Sequence, residues 1–460
     1  MPRSQTHPLH RHETLRFPKD FLWGAATSSH QVEGWNEHND WWEWEKRVGS
    51  IARGERSGRS ADHYHHYEHD FDLAKQLNLG AYRLSLEWSR LEPHKNGWDR
   101  HEVEHYQNVL CALKARGFKV MLTLMHFTLP QWVAEEGGWE NLATVKYFER
   151  YAEFAVKNFG PYVDFWVTVN EPLIAVTLGY LRGRWPPGKK SLLGAFQTFL
   201  NLTRAHKRVY HLIHQLLDKE KRSAVMKIMG VGGKRGAVCV VRPPRQVQVG
   251  VAHNIVSVSA YRKHSLVDSL FARLSDFLWN HLFISMTRRT HDFLGVNYYF
   301  HQRLKREKGK FFRSLVDVYR EETRETSDIG WEIFPQGISE ALLDLSAEYP
   351  KIPIYITENG IATVNDDKRS RFIVSYIKEI YHAIQAGVDV RGYFYWSLID
   401  NFEWEKGFSP RFGLIEIDYK TLRRRVRPAA RVYAAIAKEN GLPHELLRFI
   451  GHGVAPTEFL

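Results

Sequence analysis

Residues 355–360 read YITENG, an apolar run that ends on a carboxylate, Glu358. Residues 168–172 read TVNEP and end a second apolar run on Glu171. Two carboxylates held across one pocket can divide acid and nucleophile work. One stays protonated and gives its proton to a leaving oxygen; the other stays ionised and attacks carbon. The proximity of one anion raises the pKa of the other and keeps the two roles apart. Each stretch also has a plain structural reading. Asn-Gly after an apolar run is a turn signal. Asn and Pro around Glu171 suit a helix start, but that start leaves Glu171 itself unexplained.

Whether the two acids meet depends on the elements that carry them. Eight short, nearly continuous apolar runs can be read as strands, at 21–29, 81–90, 119–127, 164–172, 247–254, 292–300, 352–360 and 390–401. Continuous apolarity means both faces are buried, the pattern of a parallel sheet. Most runs are separated by helix-length segments. Two of these, 64–80 and 370–387, are helically periodic and close on Gly. Strand then helix, eight times, predicts an α/β fold, a single (β/α)₈ TIM barrel with elaborated βα loops.

A barrel of this kind carries its site at the C-terminal ends of the strands. There seven of the eight runs reach Gln31 and Glu33, Glu87 and Arg90, His126, Asn170 and Glu171, Tyr298 and Tyr299, Glu358, and Trp396 with Asp400. Polar and aromatic groups at one rim suit a polyhydroxylated ligand. The fold would also bring Glu171 and Glu358 to that rim, as hydrolysis of a glycosidic bond requires.

The bulk composition is compatible. The chain has 460 residues, 13% aromatic, with 15 Trp. Aromatic faces stack on sugar C–H groups, though a large core uses them equally well. The two cysteines, Cys111 and Cys239, imply no disulfide framework and no metal spacing. The first twenty residues lack an apolar core and no apolar run of membrane-spanning length occurs, so a cytoplasmic location is expected. The formal net charge is +12, with basic runs at 305–313, 423–427 and 232–236. Without a zinc-finger spacing or an RNA-binding signature, these read as solvated faces, and no nucleic-acid partner is expected. The stretch DHYHHYEHD (62–70) lacks a metal-ligand spacing, and its histidines are expected to be solvated.

The order of motifs then becomes recognisable. FLWGAATSSHQVEG, AYRLSLEWSRLEP, TLMHFTLPQW, TVNEP, DFLGVNYY, DIGWEIFPQG, YITENG and GYFYWSLIDNFEWEKGFSPRFGLIEIDY run from Phe17 to about Asn440. Together they resemble glycoside hydrolase family 1, the retaining β-glucosidase/β-galactosidase family. The resemblance implies Glu171 as acid/base and Glu358 as nucleophile. It implies Asn170 on the sugar 2-hydroxyl, and Arg83 and Tyr299 as supports that keep Glu358 ionised and oriented. Gln31, His126 and Glu403 would bind glycone hydroxyls, Trp396 would lie beneath the sugar, and Trp404 would offer an indole N–H. No metal and no organic cofactor is implied. The expected partner is a small β-glycoside or oligosaccharide, cleaved from its end by double displacement through a glycosyl-enzyme; glucosides are expected first, then galactosides and fucosides.

Several features qualify the resemblance. Relatives of the myrosinase type have Gln where this chain has Glu171. Phospho-glycosidases typically replace Glu403 with Ser, and a carboxylate there repels phosphate. Phe127 stands where the family usually has Trp, which removes one donor to the sugar. The stretch from Asn254 to Asp292 is short for the family, so the aglycone side should be more open. The expected organisation is an N-terminal tail (1–16), one catalytic barrel (17–445) with an extra loop or hairpin at 218–246, and a C-terminal tail (446–460). The competing readings are a transglycosidase and a non-catalytic carbohydrate-binding barrel.

Overall fold

The eight apolar runs form eight parallel strands in a computed structural model, which describes residues 14–222, 247–262, 264–306 and 324–451. They are Leu22–Ala26 (β1), Ala81–Ser85 (β2), Lys119–Met125 (β3), Phe165–Asn170 (β4), Gln248–Ala260 (β5), Phe293–Leu304 (β6), Ile354–Asn359 (β7) and Val390–Trp396 (β8). Each pairs with the next, and β8 returns to β1 with Leu22 opposite Gly392 and Ala26 opposite Trp396, so the sheet closes. No strand edge is left within the barrel, and every strand is covered on both faces. That double burial is why the runs read as continuously apolar rather than alternating.

The helices outside start where the local chemistry allows. Asp99 caps Arg100–Ala115, Ser265 caps Leu266–Asp276 and Asn365 caps Asp366–Gln385, each side chain accepting from a first-turn N–H. Their apolar stripes pack on the strands in one continuous shell. Inside the barrel, small and aromatic side chains alternate. Phe165, Phe293 and Tyr355 meet with ring centroids 5.1–5.8 Å apart. Gly24 has no room for a side chain, since a Cβ there would sit 2.7 Å from the Phe394 ring and from the Ala81 carbonyl. The lower barrel is therefore solid, and only its upper end can hold a ligand. β5 and β6 run on past that end, still paired from Ser257–His301 to Ala260–Leu304.

The edges of the domain differ from the expected ones. Leu15–Arg16 pairs with Gly441–Leu442, so part of the expected N-terminal tail belongs to the fold. His444–Ile450 forms a helical turn that buries Leu446 and Leu447, so part of the expected C-terminal tail belongs to the fold too. In both places a few apolar residues gain more from burial than the chain loses by ordering. Of the extra segment at 218–246, residues 223–246 lie outside the described residues; the helix Leu192–Arg222 runs into its start.

The histidine-rich stretch is not uniformly solvated. His63 is buried, with Nδ1 2.7 Å from Asp70, and Asp70 also accepts from Arg424 at 2.9 Å. The basic run 423–427 is largely spent on such pairs, with Arg425 on Glu416 and Arg427 on Asp400. Among the described residues, no helix is long and apolar enough to cross a membrane.

Candidate active site

A cavity of about 390 Å³ opens at the C-terminal ends of the strands. Gln31, His126, Asn170, Glu171, Tyr299, Glu358, Trp396, Glu403 and Trp404 all line it. Arg83 lies beneath its floor, 1% exposed. All ten residues picked from the sequence are thus at one place.

Glu358 comes from β7 and is held from two sides. Arg83 on β2 pairs with Oε1, and the phenol of Tyr299 donates to Oε2 at 2.5 Å. Both contacts favour the anion. Burial holds the Tyr299 hydroxyl well above its ordinary range, so it remains a donor. The Asn-Gly after Glu358 proves not to be a turn. Asn359 continues the strand, donating to the Tyr298 carbonyl at 2.6 Å and accepting from Tyr393 at 2.9 Å. Gly360 is required by contact, because a Cβ there would fall 1.8 Å from the carbonyl oxygen of Trp396.

Glu171 follows β4 and differs in electrostatics. Burial, with the nearby Glu358 charge as the second cause, pushes its carboxyl from an ordinary 4.5 to about 8. Its backbone is left-handed, φ 44°, and its N–H is tied to the Ala252 carbonyl at 2.7 Å. Such a backbone is strained for a residue with a Cβ and holds the side chain out of the strand line. Phe127 (φ 73°) and Trp404 (φ 50°), also on the cavity wall, share this conformation.

Asn170 links the two acids. Its Oδ1 accepts from Arg83 at 2.6 Å and from Asn297 at 3.2 Å, and Asn297 also donates to Glu171 Oε1 at 2.8 Å. Thr357 donates to the side-chain Oδ1 of Asn297 at 2.7 Å. Arginine has only donors, so the Asn170 atom facing it is the oxygen, and the Asn297 atom facing that oxygen is the amide nitrogen.

The remaining wall is sugar-sized and polar on one side. Gln31 Nε2 donates to Asn401, the Phe402 carbonyl and Glu403 at 2.9–3.2 Å. Glu403 is pushed to about 8 by burial first and then by Glu405 and Glu358. His126 is held well below 6.5 by burial and then by Arg83, so it is a neutral imidazole. It lies parallel to Trp396 and to Trp404, at 6.0 and 6.2 Å. Phe127 packs edge-on against Trp185 and Trp404, at 4.9 and 5.2 Å. Trp185 spends its indole N–H on Glu405 at 2.5 Å. Lys406 reaches the cavity but Phe408 packs on Tyr419 instead.

Not every rim residue joins the cavity. Glu33 and Arg90 pair with each other, and Glu87 accepts from Ser29, Ser89 and Thr128. Tyr298 donates to the Phe334 carbonyl, and Asp400 holds Arg411 and Arg427. These are scaffold contacts. Sequence reasoning passed over Asn297 and Asn254, which touch Glu171, and Trp331, Trp279 and Trp185 on the wall. Asn297 stands in GVNYY, a motif already singled out for its tyrosines; an amide beside them at a strand end was the available signal.

Comparison with known proteins places this arrangement. A family profile described as "Glycosyl hydrolase family 1" matches residues 13–442. The chain is 30% identical to a β-galactosidase of Pyrococcus woesei, covering 94% of this chain and 100% of that protein. It is 31% identical to β-glucosidase A of Thermotoga maritima, covering 93% and 99%. Among solved structures, a β-glycosidase from Pyrococcus horikoshii superposes with a TM-score of 0.82 at 34% identity, covering 96% and 99%. The family 1 β-glucosidase from Thermotoga maritima in complex with isofagomine lactam gives 0.82 at 28% identity, covering 94% and 100%.

Proposed function

This chain belongs to glycosyl hydrolase family 1 and is a β-glycosidase of the β-glucosidase/β-galactosidase type, and from that premise we propose how its residues divide the work. Glu171 is the general acid and then the base; Glu358 is the nucleophile. The carrying observation is the electrostatic contrast between them. Glu171 is pushed to about 8 and so holds a proton at neutral pH. Glu358 faces a guanidinium and a phenol donor that favour its anion.

In the first step a Glu358 oxygen bonds to the anomeric carbon. The bond to the leaving oxygen breaks with its electron pair, and that oxygen takes the Glu171 proton. Glu171 is then an anion and can take a proton from water, whose oxygen displaces Glu358. Two displacements at one carbon retain the β configuration. Asn170, held by Arg83, can meet the 2-hydroxyl. Gln31, Glu403 and neutral His126 offer both donors and acceptors to the other hydroxyls, with Trp396 beneath the ring. Phe127 offers no donor where it lies, which leaves the glycone one polar contact short.

The test is nitrophenol release from aryl β-glucoside and β-galactoside, for wild type beside Glu358→Ala. Loss of activity in the variant, with azide or formate restoring it and giving products of inverted configuration, establishes the nucleophile. Wild-type-like activity in Glu358→Ala would refute the assignment.

A further inference from the structure

We propose that Trp279 is a positioning residue for the general acid: acting through Asn254, it fixes which oxygen of Glu171 carries the proton. The inference rests on Glu171 being the acid/base and goes beyond it to the device that orients the proton.

Among the described residues, two side-chain donors reach the Glu171 carboxyl, and both go to the same oxygen. Asn297 Nδ2 lies 2.8 Å from Oε1 and Asn254 Nδ2 lies 3.3 Å from it. An oxygen that accepts two N–H groups cannot also carry the proton. The protonated acid therefore bears it on Oε2, the atom left to meet a leaving group.

This holds only if both amides present nitrogen rather than oxygen. For Asn297 the choice is forced through Asn170 by Arg83, as above. For Asn254 it is forced by Trp279. The indole N–H of Trp279 is 3.2 Å from Asn254 Oδ1. An indole nitrogen donates and cannot accept. A flipped Asn254 would set its NH₂ against the indole N–H and its carbonyl oxygen against Glu171. Each asparagine is thus locked by a side chain that can only donate, one in the floor and one on the wall.

The segment bearing Trp279 is built to hold it there. Phe277–His281 is a π-turn between the helices Leu266–Asp276 and Leu282–Thr287. Such wider turns re-aim side chains that an α-helix would point elsewhere. Three successive residues are then tied down. The Trp279 carbonyl accepts from His253 at 2.9 Å. Asn280 both accepts from the Val256 N–H at 3.0 Å and donates to the Val256 carbonyl at 2.8 Å. His281 Nε2 lies 2.8 Å from Asp344 on the helix Gln336–Glu348 and 3.6 Å from Asp276. His253, Asn254 and Val256 all belong to β5, so the turn is registered against the strand that presents the amide.

The test compares Trp279→Phe with wild type on two β-glucosides. One has an alkyl leaving group that needs the proton, the other a dinitrophenyl group that does not. Trp279→Phe should lower kcat/KM about tenfold more for the alkyl substrate, a modest share of the ~10²–10⁴ available from general acid catalysis. The bond from Asn254 pulls the Glu171 pKa down against burial, so its loss should move the basic limb of the kcat/KM profile upward. Glu358 and Arg83, the charged groups that act on Glu171, stay in place in both proteins, as do the other titratable groups of the cavity wall, Tyr299, His126, Glu403, His301, Glu332, Glu405, Lys406, Arg182 and Arg184. Asn254→Ala should reproduce both effects, and the double variant should add little, since the two residues act in series. Equal losses on both substrates with an unmoved limb, or additive effects in the double variant, would overturn the positioning role. Glu171→Ala separates this from its premise. If that variant itself shows no leaving-group dependence, the acid assignment fails; if it shows one and Trp279→Phe does not, only the positioning role fails.

Discussion

Replacing Glu171 with Gln should make this protein more stable at neutral pH while removing the proposed acid. The carboxyl titrates near 8 in the folded chain against an ordinary 4.5. A carboxyl with a raised folded pKa favours the native state fully only below its unfolded pKa. As pH rises the unfolded chain releases the proton first, and stability is lost until the folded pKa is passed. At pH 7 the gap already traversed is about 2.5 units, or about 3 kcal/mol at 1.36 kcal/mol per unit. The glutamine amide cannot ionise, and its oxygen can still accept from Asn297 and Asn254. Unfolding entropy of about 2.1 cal/mol/K per residue over 460 residues comes to about 1 kcal/mol/K, so the gain corresponds to about 3 °C in Tm. The assay is calorimetry of both proteins from pH 4 to 8. The two Tm values should coincide near pH 4 and diverge through neutrality, with the variant higher. Glu403, likewise pushed to about 8, is present in both and cancels. A Tm difference that stays flat across this range, or a variant less stable at pH 7, would refute the claim that Glu171 is buried as a neutral acid.

Two other substitutions probe the frame around it. Tyr299→Phe removes the donor 2.5 Å from Glu358 Oε2; a hydrogen bond to a charged group is worth about 1.5–3 kcal/mol, so kcat/KM should fall about 10- to 150-fold, read by steady-state kinetics with an unaltered far-UV spectrum. Arg369→Ala should cost at least ~3 kcal/mol in urea unfolding, because several buried acceptors lose their donor at once; the guanidinium is fully buried and serves the carbonyls of Ile361, Thr363, Arg411 and Phe412, and a change under 1 kcal/mol would contradict that account.

Much of this protein was legible in its sequence. Double burial of parallel strands leaves continuous apolar runs, so each of the eight could be found one at a time, and a rim of acids and aromatics at their ends marked the site. Local pattern sufficed for that much. It did not suffice where a residue's role is set by a distant neighbour. Asn359–Gly360 has the sequence of a turn, yet the carbonyl of Trp396 makes the glycine obligatory and Tyr393 keeps the asparagine in the strand. His63 reads as one solvated histidine among several until Asp70 and Arg424 bury it. Glu33 and Glu87 stand at strand ends as Glu171 and Glu358 do, and only the fold turns them into scaffold contacts. The chain alone determined which groups exist and at which end of the barrel they lie, because strand period and direction are local properties. Tertiary structure decided which carboxyl is pushed up by burial and on which of its oxygens the donors converge. Those depend on desolvation and on donors contributed by Arg83, Asn297, Asn254 and Tyr299, residues tens to hundreds of positions from the acids they govern.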